Sequence, residues 1–160
     1  MAAEQGQTRN PATAGFMQSP LFTSVDEVAD HIRNAQTAQA AWAATSPVAR
    51  SRILLKAART LIESNDELAQ IETSDTGKPI SETSTVDIVT GAEVLEYYAN
   101  LVAAGGLNGE TIQLREDAWV YTKKAPLGVC AAIGAWNYPI QMYVTSQPSQ
   151  RTIAAGSTDR

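Results

Sequence analysis

The stretch Pro126-Leu-Gly-Val-Cys-Ala-Ala-Ile-Gly-Ala-Trp-Asn-Tyr-Pro-Ile140 restricts the fold more than any other part of the chain. Val129 to Ile133 is an apolar run of strand length without a helical period, the pattern of a strand covered on both faces. Gly134-Ala135 then lets the backbone come close to a neighbouring group. Asn137 offers a neutral amide with two donors, and Pro139 ends the strand because it has no N–H for a ladder. A turn, a buried strand and a polar, aromatic shelf are expected in that order.

Upstream of this stretch the pattern is helical. Ser24-Val-Asp-Glu27 is a capping box, a hydroxyl for the third amide and a carboxylate reaching back to the cap amide. Behind it Val25, Val28, Ala29, Ile32 and Ala35 recur at helical spacing up to Trp42. Ser46-Pro47 opens a second helix with a cap hydroxyl and a proline where no amide bond is lost. Its stripe is Leu54, Ala57, Ala58 and Leu61, extended by Leu68 and Ile71. Asp75-Thr-Gly-Lys-Pro79 interrupts the period, since Gly77 suits a left-handed cap and Pro79 cannot continue the turn. A third helix is expected over about Glu82 to Ala103, with Ile88, Ala92, Leu95, Ala99 and Val102 on one side. Gly91 inside it costs about 1 kcal/mol against alanine, which points to close helix packing at that position.

The character changes at Gly105-Gly106. Thr111-Ile-Gln-Leu114 and Trp119-Val-Tyr-Thr-Lys123 read as alternating strands joined by a turn over Arg115-Glu-Asp-Ala118. A lone two-stranded hairpin is marginal in water, so this one needs a partner surface.

Composition narrows the function classes. At 160 residues the chain is large enough for one domain with a real core. Its net charge of −5 and its scattered basic residues give little support to a nucleic-acid surface. No apolar run approaches the ~20 residues of a membrane span, and the first residues lack the apolar stretch of a signal peptide. One cysteine permits no internal disulfide. The expected compartment is the cytoplasm. Cys130, mid-run among apolar residues, reads as a small buried hydrophobe rather than a nucleophile. His31, between Asp30 and Arg33 on a helix, reads as solvated surface, and no metal-ligand spacing of His and Cys exists.

Gly134-Ala-Trp-Asn-Tyr-Pro139 resembles the aldehyde dehydrogenase superfamily, most closely its betaine-aldehyde and trimethylaminobutyraldehyde branch. Asn10-Pro-Ala-Thr, Arg50-Ser-Arg-Ile-Leu, Asn65-Asp-Glu-Leu-Ala, Asp75-Thr-Gly-Lys-Pro, Leu95-Glu-Tyr-Tyr-Ala and Val120-Tyr-Thr-Lys-Lys-Ala-Pro-Leu-Gly-Val are similar to the same family, in order, over residues 8 to 141. After Gln141 the resemblance stops: Thr145 stands where a second aromatic-box residue belongs and Ser146 where a lysine belongs. The resemblance implies an α/β, aldehyde dehydrogenase-like fold present in part. Residues 8–108 would form the helical part of the cofactor-binding domain and 109–125 an oligomerisation hairpin. Residues 126–145 would hold the first strand and turn of a Rossmann-like cofactor domain, and 146–160 a disordered tail.

By resemblance, Asn137 is the catalytic donor that stabilises the oxyanion of an aldehyde attacked by a thiolate. Its alternative is an asparagine that merely ends a strand. Ile133, Gly134, Ala135 and Trp136 match backbone positions along the nicotinamide side of an NAD pocket. Tyr138 matches an aromatic that boxes a quaternary ammonium substrate by cation–π contact, or else is a core tyrosine. Asp75 matches a carboxylate near an intrasubunit potassium site with backbone carbonyls at Thr8 and Arg9, or else caps a turn. The reading is an amino-terminal fragment of an NAD(P)-dependent aldehyde dehydrogenase, an oxidoreductase acting on betaine aldehyde or a related amino aldehyde. Without the family's nucleophile, base and ribose-gripping lysine, the chain alone is expected to be inactive. Its expected partners are an aldehyde and a second copy or full-length relative. The alternatives are a non-catalytic oligomerisation or regulatory module paired with a full-length relative, and a helical binding protein on the same scaffold.

Overall fold

A computed structural model describes residues 9–17, 23–132 and 134–145. Six helices and one antiparallel hairpin occupy these residues: α1 (Val25–Ala44), α2 (Pro47–Glu63), α3 (Asn65–Thr76), α4 (Ile80–Glu82), α5 (Ile88–Ala103), β1 (Thr111–Arg115), β2 (Ala118–Tyr121) and α6 (Pro139–Thr145). Ile133, Thr8 and the segment 146–160, to which the sequence assigned roles, lie outside the described residues.

The helix starts follow the caps. At α1 the Glu27 amide donates to Ser24 Oγ (3.3 Å) and the Ser24 amide donates to Glu27 Oε2 (2.7 Å). These bonds hold the Glu27 carboxyl below the usual carboxylate range. At α2 the Ala49 amide donates to Ser46 Oγ, with Pro47 in the first turn. Arg50, buried in α2, donates to the carbonyl of Thr45 (2.6 Å) just past the end of α1, so it ties the two helices together.

The expected extension of α2 through Leu68 and Ile71 does not occur. The chain turns at Ser64 (φ −98°, ψ 11°) and re-enters as α3 in a new phase. Ala69 and Glu72 face inward while Ile71 is exposed, and Ala57 of α2 is exposed as well. Gly77 closes α3 at φ 77°, with its amide donating to Thr73 O (2.9 Å). A Cβ there would come within 2.4 Å of Pro11 Cγ, so the glycine serves both backbone conformation and close packing.

The third expected helix is present but interrupted. Between α4 and α5 the residues Thr83–Asp87 form a π turn, one residue wider than the α-helix. The shift in phase brings Thr83, Asp87 and Ile88 to full burial together. A π turn frees carbonyls, and here Asn65 Nδ2 donates to Ser84 O (3.0 Å). Beyond it Ile88, Ala92, Leu95, Ala99 and Val102 are buried as the periodicity required. Of these Ala92, Leu95, Ala99 and Val102 pack, together with Tyr98, against Leu54 and Ala58 of α2 to form the core, joined at its edge by Val144 of α6. Gly91 is the contact point for α6: a Cβ there would lie 3.7 Å from Val144 and 3.8 Å from Ile140.

The hairpin pairs Thr111 with Tyr121, Ile112 with Val120 and Gln113 with Trp119, and an irregularity between Gln113 and Arg115 absorbs the turn. Gly109, at φ 97°, admits the Thr122 carbonyl, which a Cβ would meet at 2.1 Å. Within 129–132 the structure departs from the expected strand. Cys130 forms an isolated bridge, and Val129, Ala131 and Ala132 carry no strand among the described residues. A doubly covered parallel strand exists through its neighbours' N–H and C=O groups. The one sheet among the described residues is the distant hairpin. Val129–Ala131 instead lie against α1, sharing with Val28, Ile32 and Ala35 a cavity of about 480 Å³.

Candidate functional site

Four of the residues singled out by sequence, Asp75, Trp136, Asn137 and Tyr138, converge on the C-terminal end of α3. Around an open groove of about 750 Å³ stand Arg9, Pro11, Asp75, Lys78, Glu82 and the loop Trp136-Asn137-Tyr138. Asn10 shapes the near wall by accepting from the amides of Ala12 (2.9 Å) and Thr13 (3.2 Å), which folds Pro11 onto Gly77.

Beneath the groove lies a buried ionic cluster. Lys78 Nζ donates to Glu72 Oε1 (3.2 Å) and to Asp87 Oδ2. Side-chain exposure is 1% for Glu72, 0% for Asp87 and 16% for Lys78. Two carboxylates face one ammonium, so the cluster is short of positive charge. Burial, followed by the neighbouring Asp87 carboxyl, pushes Glu72 above the usual carboxylate range, against the pull of Lys78. For Lys78 burial is the largest single influence and disfavours its charge, but the combined bonds to Asp87 and Glu72 outweigh it and raise its pKa. Asp87 Oδ1 is buried with no hydrogen-bond partner among the described residues. The π turn is what brings Asp87 under Lys78. Nearby, the hydroxyls of Thr73 and Thr83 bond across from α3 (2.8 Å).

The loop is fastened to this platform at alternate residues. Trp136 Nε1 donates to Asp75 Oδ2 (2.9 Å) and Tyr138 OH donates to Glu82 Oε1 (3.1 Å). Lys78 Nζ sits 3.9 Å from the Tyr138 ring centroid, and the Ile140 amide donates to Glu72 Oε2 (3.4 Å). The bond to Glu82 raises the Tyr138 phenol. Between these tethers Asn137 is exposed, and no hydrogen bond engages its amide among the described residues.

Of the expected site residues, Asp75, Trp136, Asn137 and Tyr138 are therefore brought together. Gly134 and Ala135 lead into them, exposed. Asp75 has one oxygen committed to the indole of Trp136. Among the described residues no group of three or more His, Cys, Asp or Glu is placed to hold a metal ion. One face of Tyr138 already carries an internal cation. Cys130 and His31 line the other cavity, against α1, not the groove around Asn137. The groove thus offers one unengaged neutral amide among charged side chains, and the chain's one cysteine does not line it.

Glu72, Lys78, Glu82 and Asp87 were not singled out from the sequence as site residues. One signal was available: Asp87 directly precedes Ile88 at the start of an apolar face, where a carboxylate needs a buried partner.

No helix among the described residues is long and apolar enough to cross a membrane. The model of the aldehyde dehydrogenase family matches residues 1–158, well past Gln141, where the resemblance by motif ended. Solved structures agree. A putative aldehyde dehydrogenase from Burkholderia cenocepacia superposes with a TM-score of 0.84 at 28% identity, over 97% of this chain and 31% of that one. An NADP-dependent enzyme from E. coli gives 0.85 at 30% identity, over 98% and 32%. PnpE in complex with nicotinamide adenine dinucleotide gives 0.84 at 29% identity, over 99% and 32%. The chain spans about a third of the length of these structures.

Proposed function

The chain belongs to the aldehyde dehydrogenase family, and we propose that it supplies the oxyanion-binding portion of an NAD(P)-dependent oxidation of an aldehyde to the acid. The observation that carries this reading is the tethered loop, with the Asn137 amide unengaged between two fastened aromatics. A neutral donor fixed before the reaction, at the edge of a groove, stabilises charge as it develops on a carbonyl oxygen. Asn137 is the catalytic residue in this reading. NAD(P) bound alongside supplies the hydride acceptor. Gly134 and Ala135, exposed and nearly free of side chain, leave the backbone open for a flat ring beside Trp136, and Ile133 precedes them. PnpE's complex with its dinucleotide and the NADP-dependent relative support the cofactor class.

The substrate is betaine aldehyde or a related amino aldehyde. Tyr138 supports a cationic substrate group with the ring face that Lys78 does not occupy. Asp75 has a second carboxylate oxygen with which to meet a potassium ion. The compartment is the cytoplasm. These 160 residues alone do not turn over aldehyde, because the single thiol, Cys130, opens to a different cavity from Asn137. The exposed apolar hairpin favours a second role as an assembly module that pairs with a full-length relative or another copy. Co-purification with such a relative distinguishes it.

The test is kinetic. In a full-length aldehyde dehydrogenase carrying these residues, Asn137→Ala should lower kcat by about a hundred- to a thousand-fold with betaine aldehyde and NAD. The 160 residues by themselves should give no NADH above a buffer blank. Unchanged kcat in Asn137→Ala, or turnover by the short chain that vanishes in Cys130→Ser, would overturn the assignment.

A further inference from the structure

We propose that Asp75, Lys78 and Glu82 are positioning residues that hold Trp136 and Tyr138 and thereby aim the Asn137 amide; this rests on the reading of Asn137 as the oxyanion donor. An oxyanion donor works only when its N–H sits within hydrogen-bond reach of one defined point, so its backbone must not wander. Asn137 lies on an exposed turn, closed by one long backbone bond from Tyr138 N to Ala135 O (3.3 Å). The turn alone is a poor clamp. What fixes it is the pattern of tethers at 136, 138 and 140, each running to a different acidic or basic group of the platform. Alternate residues grip and the intervening one is presented.

The platform in turn is anchored by the two buried carboxylates, Glu72 and Asp87, that hold Lys78. Lys78 cannot swing away from the Tyr138 ring without leaving Glu72 and Asp87 unpaired in the interior, which is strongly unfavourable. Asp75 stands in the last turn of α3, capped by Gly77 with Pro11 packed upon it, and Glu82 ends α4. The ionic cluster therefore does more than fill the interior. It transmits the position of three helical segments to one side-chain amide.

Nitrogen-15 NMR of the whole chain reads this directly. Trp136 is one of three tryptophans, assigned by the signal lost in Trp136→Phe, and the Asn137 NH2 pair by its loss in Asn137→Ala. Asp75→Ala should speed solvent exchange of the Trp136 indole roughly tenfold, the effect of one net hydrogen bond lost. Asp75→Ala, Glu82→Ala and the charge-balanced pair Lys78→Met with Asp87→Asn should each move the Asn137 NH2 signals. The indoles of Trp42 and Trp119 should stay in place. Asp75→Asn and Glu82→Gln keep an acceptor and should retain the parent spectrum. Asn137 signals unmoved by the alanine variants and the pair would overturn the proposal, as would equal losses in the Asn and Gln variants. None of these signals depends on turnover, so they can fail while Asn137→Ala still abolishes oxidation, and the reverse.

Discussion

The platform under Asn137 and the β1–β2 hairpin handle their side chains in opposite ways. In the platform Glu72 and Asp87 are buried and both bonded to the half-buried Lys78. In the hairpin Ile112, Leu114, Trp119, Val120 and Tyr121 are exposed, Tyr121 at 78%. Hydropathy would have assigned the two regions the other way round. The contrast teaches that burial here follows the availability of a packing partner: the π turn supplies one for Asp87, and none is supplied to the hairpin among the described residues.

The largest expected effect comes from breaking the buried cluster. Lys78→Met should cost about 3–5 kcal/mol in chemical denaturation, because two buried carboxylates lose their ammonium. A cost near zero would make the platform no different from a surface. The cluster also has a pH signature. The folded state holds the Glu72 proton more tightly than the unfolded chain does. Its contribution is therefore complete below 4.5 and is lost as pH rises through the folded value. Lys78 has the same sign, from 10.5 upward. Glu72→Gln should flatten the fall in unfolding free energy above pH 4.5; an unchanged slope would place the titration elsewhere.

Next in size is the apolar core against the hairpin. Leu95→Ala, in the α2–α5 cluster, should cost about 2–5 kcal/mol, whereas Leu114→Ala in β1 should stay within about 0.5 kcal/mol. Both are measured on dilute, monomeric protein, where comparable losses would mean that the hairpin is covered within the chain itself. Its exposed face predicts association: dimers or larger species in size-exclusion chromatography with light scattering, reduced by Ile112→Lys or Val120→Lys, which face each other across the ladder. A monodisperse parent chain at tens of micromolar would contradict this. The smallest effect concerns Gly91. A Cβ there meets Val144 at ordinary contact distance, so Gly91→Ala should stabilise by about 0.5–1 kcal/mol. A loss instead would show α6 seated more tightly on α5 than the 3.7 Å spacing implies.

Local chemistry made much of this chain legible in advance. The Ser24–Glu27 box, Ser46-Pro47, the left-handed Gly77, the α5 stripe and the presence of the hairpin each depend on residues close in sequence, and each formed, though β2 ends at Tyr121 and not at Lys123. The loop Trp136-Asn137-Tyr138 was marked out by its resemblance to a family motif rather than by residue type. Tertiary structure alone decided the rest. Ser64 re-phased α3 so that Glu72 turned inward and Ile71 outward, and the π turn moved Asp87 beneath Lys78. Among the described residues Val129, Ala131 and Ala132 carry no strand and Cys130 forms an isolated bridge, because a strand's hydrogen bonds belong to its neighbours. The bonds from Asp75 to Trp136 and from Glu82 to Tyr138 span 61 and 56 residues. No period or motif reports contacts at that separation; they exist only once the helices have packed.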